Sequence, residues 1–461
     1  MSDWRPKIPA GPAPLHERLA DAVAADIASG SLTAGTRLPT HRELAHVLDI
    51  GLGSVTRAYS LAMQRGLIEA RVGRGSFVAH PPATRGGDTQ GAGRIDMARN
   101  IPPIACAERR FAEALGRVRR RPDLLDHLNY SPPAGFDTHR RAAAAWLRRT
   151  ANFNTSESTR LLVTGGAQEA MSIVLGTIAR AGETVMVEAA TFFGIRSLCD
   201  QTGLKLKAVA MDEQGIVPES LDQASRTGCR VLYMMPTLQN PTGRTMGAAR
   251  RAEIARVVRR RELWIVEDDI YSAFAGGRQP EPFAVLIPER TFYISGLSKA
   301  LSPGLRVGFV CAPNDEHLNR LIATVRARSY APATLGALVA TDWIESGAAD
   351  EIVRDVRAEV GARTALGKEI LATALDPSTS DECPHLWLPM QELQAERFAN
   401  RAIRAGIDVT PPGAPVIDRS MICGVRVCLG AVRDRAILNH TLGTIAGFLS
   451  EDDLGGDQGV V

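Results

Sequence analysis

Seven short apolar runs, RLLVT, TVMVEA, KLKAVAM, RVLYMMP, LWIVEDD, TFYIS and RVGFVCA, lie between residues 160 and 312, with helical stretches between them. Runs of this length bounded by polar residues read as strands buried on both faces. Strands that alternate with helices build a mostly parallel sheet covered on both sides. A helix is expected to begin near Gln168 after the first run, and another near Met246 after the fourth. Beyond about Arg328, long helical segments lead into a smaller α+β portion that ends near Leu449. The fold class is therefore α/β, a large doubly covered sheet with a small C-terminal α+β part from about residue 330.

The first eighty residues follow a different period. Leu15, Leu19, Val23 and Ile27 repeat every four residues and mark one face of an amphipathic helix, which Ser29-Gly30 would cap. In LPTHRELAHVL, Thr40 with Glu43 three residues later is a capping box and opens a second helix. Ser54, or the turn before it, opens a third helix, SVTRAYSLAMQRG, and LIEARVGRGSFVAH supplies two short strands around Gly73-Arg74-Gly75. PPATRGGDTQGAG then shifts abruptly to linker composition. The expected organisation is a domain over 1–80, a linker over 81–95, a second domain over 96–449 and a disordered acidic tail over 450–461.

No apolar run reaches the roughly 18 residues of a membrane span, and MSDWRPKIPAGPAP lacks the apolar core of a secretory signal. Seven cysteines (106, 199, 229, 311, 383, 423 and 428) form neither a CxxC pair nor a Cys/His metal pattern. They read as free thiols in a reducing compartment, so the expectation is a cytoplasmic protein with no metal site and no membrane partner. A net charge of +3 is too small to identify a polyanionic partner. Its distribution says more, since four arginines (57, 65, 71 and 74) stand against one acid, Glu69, between Arg57 and Arg74.

From PLHERL to GSFVAH the chain resembles the GntR-type winged helix-turn-helix. It carries the LPTHRELA helix, a tight turn, the VTRAY helix and a wing ending GRGSFV. In such modules the second helix of the pair enters the major groove with its N-terminal residues nearest the bases. The resemblance thus implies DNA contacts from Arg42, Ser54, Thr56 and Arg57, and from Arg74 at the wing tip. Gly51 and Gly53 replace residues that usually carry polar side chains there, which leaves the operator sequence open.

Residues 96–449 resemble fold-type I aminotransferases, and the joined pair resembles the MocR subfamily of GntR regulators. The resemblance implies pyridoxal 5′-phosphate (PLP) as cofactor. SGLSKALSPGLRVGF places Lys299 as the amine that would form an internal aldimine. Arg306 and Ser298 would hold the phosphate, and Gly296 stands where the family often has serine, so that one phosphate hydrogen bond is either missing or supplied by Ser295. In VEDDIYSAF, Asp268 matches the acid that pairs with the pyridine nitrogen, Asp269 being the competing assignment, and Tyr271 the phenolic-oxygen partner. QNPTG supplies Asn240, and VTGGAQEA places Gly166, Ala167 and Gln168 at a helix start, where free amides favour phosphate. Phe192, or else Phe193, would stack on the ring. Tyr130 of NYSPPAGF would reach the phosphate of a partner subunit, and Arg426 of GVRVCLGA would bind an α-carboxylate.

The resemblance implies a homodimeric regulator that binds operator DNA and senses an amino acid or PLP. An active aminotransferase with a DNA-binding appendage stays open as a second reading, and a large domain serving dimerisation alone as a third.

Overall fold

The computed structural model describes residues 4–9, 11, 13–28, 31–32, 35–64, 67–71, 75–78, 94–153 and 158–454. The chain divides into two compact units, Met1–Gly91 and Ala92–Val461.

In the first unit, helices α1 (Leu15–Ala28), α2 (His41–Val47) and α3 (Leu52–Gln64) precede a hairpin of β1 (Ile68–Arg71) and β2 (Gly75–Val78). The strands are antiparallel, Ile68 opposite Val78 and Arg71 opposite Gly75. Leu19 and Val23 of the four-residue repeat bury against Leu44, Val55, Tyr59 and Val78. Thr40 caps α2 as its sequence implies: its hydroxyl accepts from Glu43 N and its own N–H donates to Glu43 Oε2. The turn before Ser54, rather than Ser54 itself, opens α3. Gly51 O accepts from Ser54 N at 2.9 Å, and the helix runs from Leu52. Tyr59 Oη donates to Pro39 O at 2.9 Å and ties α3 to the start of α2. The Ser29-Gly30 cap, Arg65, the wing tip Gly73-Arg74 and residues 81–93 lie outside the described residues.

The second unit contains β3 (Ile95–Asp96), β4 (Leu161–Thr164), β5 (Thr184–Glu188), β6 (Lys205–Val209) and a small hairpin of β7 (Met211–Asp212) with β8 (Gly215–Ile216). It continues with β9 (Val231–Met234), β10 (Trp264–Asp268), β11 (Thr291–Gly296), β12 (Gly308–Cys311), β13 (His385–Pro389), β14 (Ile407–Asp408) and β15 (Gly424–Cys428). One sheet of seven strands has the order β4-β12-β11-β10-β9-β5-β6. The strands from β11 to β6 are parallel, and β12 is antiparallel to both its neighbours. All seven apolar runs of the sequence supply this sheet. The flanking helices Ala167–Ile178 and Ala248–Arg261 begin within two residues of the expected starts.

The smaller part pairs β13 antiparallel with β15, and β14 parallel with β3. Three boundaries need correction. Arg94 pairs with Asp408 and Ile95 with Ile407, so the folded unit already includes residues 94–95, which the composition assigns to the linker. Leu338 and Trp343 pack in the large core, and helix Ala348–Leu371 runs from that core (Ile352, Val356) into the small one (Leu371). The small part therefore starts within this helix rather than near residue 330. Helix Arg435–Leu454 also continues through residues 450–454, which the composition assigns to a disordered tail. Among the described residues no helix is long and apolar enough to cross a membrane, and no cluster of three or more His, Cys, Asp or Glu could hold a metal. All seven cysteines are free thiols.

Candidate cofactor site

The C-terminal ends of the parallel strands converge on a cavity of about 110 Å³, the usual position of ligands in open α/β sheets. The turn after β4 brings Ala167 and Gln168 to its wall, the segment after β5 brings Phe192, and the turn after β9 brings Met235 and Asn240. Asp268, Ile270 and Tyr271 enter from the end of β10, and Ser298, Lys299 and Arg306 follow β11. Nine of the cofactor residues expected from sequence thus share one cavity.

Alternation along β10 separates the two competing acids. Asp268 lines the cavity, where Oδ2 accepts from Tyr233 Oη at 2.8 Å and Oδ1 from Ile270 N at 3.3 Å. Asp269 turns away and accepts from Tyr293 Oη at 2.7 Å. Burial pushes the Asp268 carboxyl up to about 6, against the pull of Tyr233 and of the Lys299 charge. Lys299 is shifted the other way, down to about 8, chiefly because protein atoms replace its water and secondarily because Arg426 repels its charge. An amine partly neutral near physiological pH is a usable nucleophile.

One end of the cavity is built for an anion. Gly166 precedes helix Ala167–Ile178 with φ +107°, and a Cβ there would lie 2.9 Å from Arg306 Nη2. A Cβ on Gly308 would lie 2.6 Å from Gly166 C, so β12 passes the helix start at a distance only glycine permits. The Arg306 guanidinium is thereby set beside the unpaired amides of a helix N-terminus. Ser298 lines this cavity, whereas Ser295 donates to Asp269 O at 3.4 Å and is not among the lining residues. A side chain at Gly296 would bring its Cβ 3.1 Å from Val307 O, a tight approach to the main chain of the neighbouring strand segment. Phe192 lines the cavity, whereas Phe193 is 43% exposed.

Arg426 on β15 is 2% exposed. It donates to Asn240 Oδ1 at 2.6 Å, Ala98 O at 2.7 Å and Thr410 Oγ1 at 2.8 Å, while its Nε is buried with no partner. Among the described residues it has no carboxylate partner. A buried guanidinium held only by neutral acceptors invites an anion.

Several site residues carry no signal in the sequence. Met235 and Ile270 add apolar wall, Tyr233 holds Asp268, and Asn100 and His385 lie behind Lys299. Their sequence contexts, among them MARNIPPI and CPHLWLP, hold no chemical motif, and only chain folding brings them here. Tyr130 is 80% exposed, packs edge-on against Tyr330 at 5.0 Å, and stands outside its own chain's cavity. In the first unit Arg42, Thr56 and Arg57 are exposed and Ser54 is half-buried, the last three on the first turns of α3. Thr56 Oγ1 donates to Leu52 O, and Arg57 Nε donates to Gly53 O at 3.3 Å. Arg74 falls outside the described residues.

Residues 95–445 match the aminotransferase class I and II family. The chain belongs to that family. Residues 15–78 match the bacterial regulatory proteins of the gntR family, and the two domains joined are an arrangement consistent with MocR-type GntR regulators. An uncharacterized HTH-type transcriptional regulator, YdeF, of Bacillus subtilis (strain 168) is 29% identical over 67% of this chain and 67% of its own length. The probable rhizopine catabolism regulatory protein MocR of Rhizobium meliloti is 25% identical over 72% of each chain. The α-aminoadipate aminotransferase LysN from Thermus thermophilus, complexed with N-(5′-phosphopyridoxyl)-L-leucine, superposes with a TM-score of 0.69 at 24% identity. The match covers 78% of this chain and 93% of that one. The cofactor of the family is PLP, and the residues present fit it. The cradle that a Cβ on Gly166 would fill suits a phosphate, the lowered Lys299 amine suits an aldehyde, and buried Asp268 suits a ring nitrogen. The gntR-family domain is a DNA-binding domain, and the protein accordingly joins DNA binding to an aminotransferase fold.

Proposed function

We propose that the protein is a transcriptional regulator that holds PLP through Lys299 and changes its grip on operator DNA when an amino acid, or PLP itself, occupies the large domain. The observation that carries this reading is Arg426, a buried guanidinium with an unpartnered Nε and only neutral acceptors, next to the Lys299 cavity. When bound, PLP supplies an aldehyde and an electron-withdrawing ring. The chain's own residues do the rest. Asp268 keeps a proton at the ring nitrogen, and Tyr271 and Asn240 present polar groups to the ring oxygen. Phe192 covers the ring face, and Arg306 with Ser298 and the amides of Gly166, Ala167 and Gln168 anchors the phosphate. Arg426 orients the effector's carboxylate. Arg42, Ser54, Thr56, Arg57 and Arg74 contact DNA, in a cytoplasmic homodimer whose Tyr130 side chains complete each other's cofactor sites.

An effector shifts DNA affinity only by its differential affinity for two states, typically about 1–3 kcal/mol. The deciding experiment titrates the purified protein with the twenty amino acids while following its visible absorbance, then repeats an operator titration with the amino acid that perturbs it. Spectral change with altered operator affinity supports the reading. Unchanged operator affinity with PLP and with every amino acid defeats it. The complete set of Lys299, Asp268, Tyr271 and Asn240 around one cavity also favours a second reading, turnover as an aminotransferase. Conversion of the cofactor to its amine form and regeneration by a 2-oxo acid would establish that reading.

A further inference from the structure

We propose that Asn100 and His385 are positioning residues, the Asn100 main-chain oxygen holding the Lys299 amine while its side chain, oriented by His385, holds the Tyr271 hydroxyl. The inference rests on Lys299 being the cofactor-binding amine. Three segments distant in sequence meet at Asn100. Lys299 Nζ donates to the Asn100 main-chain oxygen at 2.5 Å. The Asn100 side chain is buried, and its Nδ2 lies 2.9 Å from Tyr271 Oη and 2.8 Å from His385 Nδ1. An amide nitrogen carries two hydrogens, one for each neighbour.

His385, fully buried on β13, completes the chain. Its Nε2 lies 3.1 Å from the main-chain oxygen of Gln239, the residue before Asn240. A carbonyl oxygen only accepts and an amide nitrogen only donates, so the ring must carry a single proton, on Nε2. A charged imidazolium would set an N–H against the Asn100 amide. Burial and the facing charges of Arg426 and Lys299, both cationic, push the imidazole down to about 3, in agreement with that tautomer. Three further titratable groups face the ring, the Cys383 thiol 3.5 Å from both nitrogens, the Tyr271 ring at 5.6 Å and Cys428 opposite on β15, and burial raises all three so that they stay protonated. His385 is therefore an uncharged connector between the small part and two walls of the cavity. It stands on the strand paired with the one that carries Arg426, Trp387 being opposite that arginine. Displacing Asn100 would move the acceptor of the amine and the donor to the tyrosine together.

The test follows capture of added PLP by cofactor-free, full-length protein, read as the rate at which visible absorbance grows. His385→Phe and Asn100→Ala each remove two buried side-chain hydrogen bonds and should each slow capture at least about tenfold. The double variant should be no slower than either single one, because both changes cut the same chain. His385→Gln can accept from Asn100 and donate to Gln239, and should stay within about twofold of wild type. Capture at the wild-type rate by Asn100→Ala or His385→Phe overturns the proposal. So do additive losses in the double variant, or a Gln variant as slow as the Phe variant. If His385→Phe does not fold, Asn100→Ala and His385→Gln carry the test. Should wild type itself fail to capture PLP, or Lys299→Ala capture it equally well, the Lys299 reading falls and this inference falls with it.

Discussion

Arg57 and Arg426 are both arginines on regular elements, and the two domains treat them in opposite ways. Arg57 stands exposed on the first turns of α3, where its Nε donates to Gly53 O. Arg426 is 2% exposed and commits its guanidinium to Asn240, Ala98 and Thr410. The same contrast separates the two sites as wholes. Residues assigned to DNA stay hydrated until a polyanion arrives, and their attraction is screened by salt. Residues assigned to the cofactor are desolvated and oriented in advance, so that each interacts more strongly with a bound group and its own ionisation is disturbed. Exposure suits a partner whose backbone charge is everywhere alike; pre-orientation suits a small molecule of fixed shape.

Substitutions probe this contrast, and the largest effect is expected at Lys299. Lys299→Ala should abolish the visible absorbance of bound cofactor, measured after dialysis against PLP. Next comes Arg426→Leu, which should weaken the response to an amino acid by about 100-fold, roughly the worth of a buried charge-assisted pair. Cofactor absorbance should persist in that variant. A response that survives would place the carboxylate elsewhere and remove half of the comparison.

Asp268 tests desolvation directly. Its folded-state value of about 6 lies above its ordinary 3.8, so the folded chain keeps a proton that the unfolded chain releases. The stability from that proton is full below 3.8 and disappears as pH rises through about 6. In cofactor-free protein, Asp268→Asn should flatten the fall in stability across this window by about 3 kcal/mol, read from urea midpoints. An unchanged slope would mean that the acid is not desolvated. On the exposed side, Arg57→Ala should weaken operator binding by about 1–3 kcal/mol and relax base discrimination. The wild-type protein, if it binds as the proposed homodimer, should show a log–log salt slope of about −5 to −9 for roughly six to ten phosphate contacts. The smallest effect belongs to Thr40→Ala, which removes the capping box and should destabilise the first unit by about 1 kcal/mol in thermal unfolding. The cofactor absorbance should not change.

Much of the fold was legible because its signals are local. An apolar run as short as LWIVEDD, set among alternating helical stretches, reads as a buried strand, and Thr40 with Glu43 marks a helix start from local residues alone. Much of the site was legible for a related reason: Lys299, Asp268 and Asn240 sit in short motifs at strand ends. Boundaries were less so. Residues 94–95 look like linker because their partners, Asp408 and Ile407, lie over 300 positions away. The tail residues 450–454 are acidic, yet the helix that packs Leu442 and Ile445 carries them onward.

The sequence alone determined which residue types could do chemistry and on which elements they ride, since periodicity, caps and turn residues act within a few positions. Tertiary structure decided which of two adjacent candidates faces the cavity. Asp268 rather than Asp269 and Phe192 rather than Phe193 line it, as the packing around the strand ends dictates. It also recruited Asn100 and His385, because burial and hydrogen-bond complementarity exist only once distant segments share one interior.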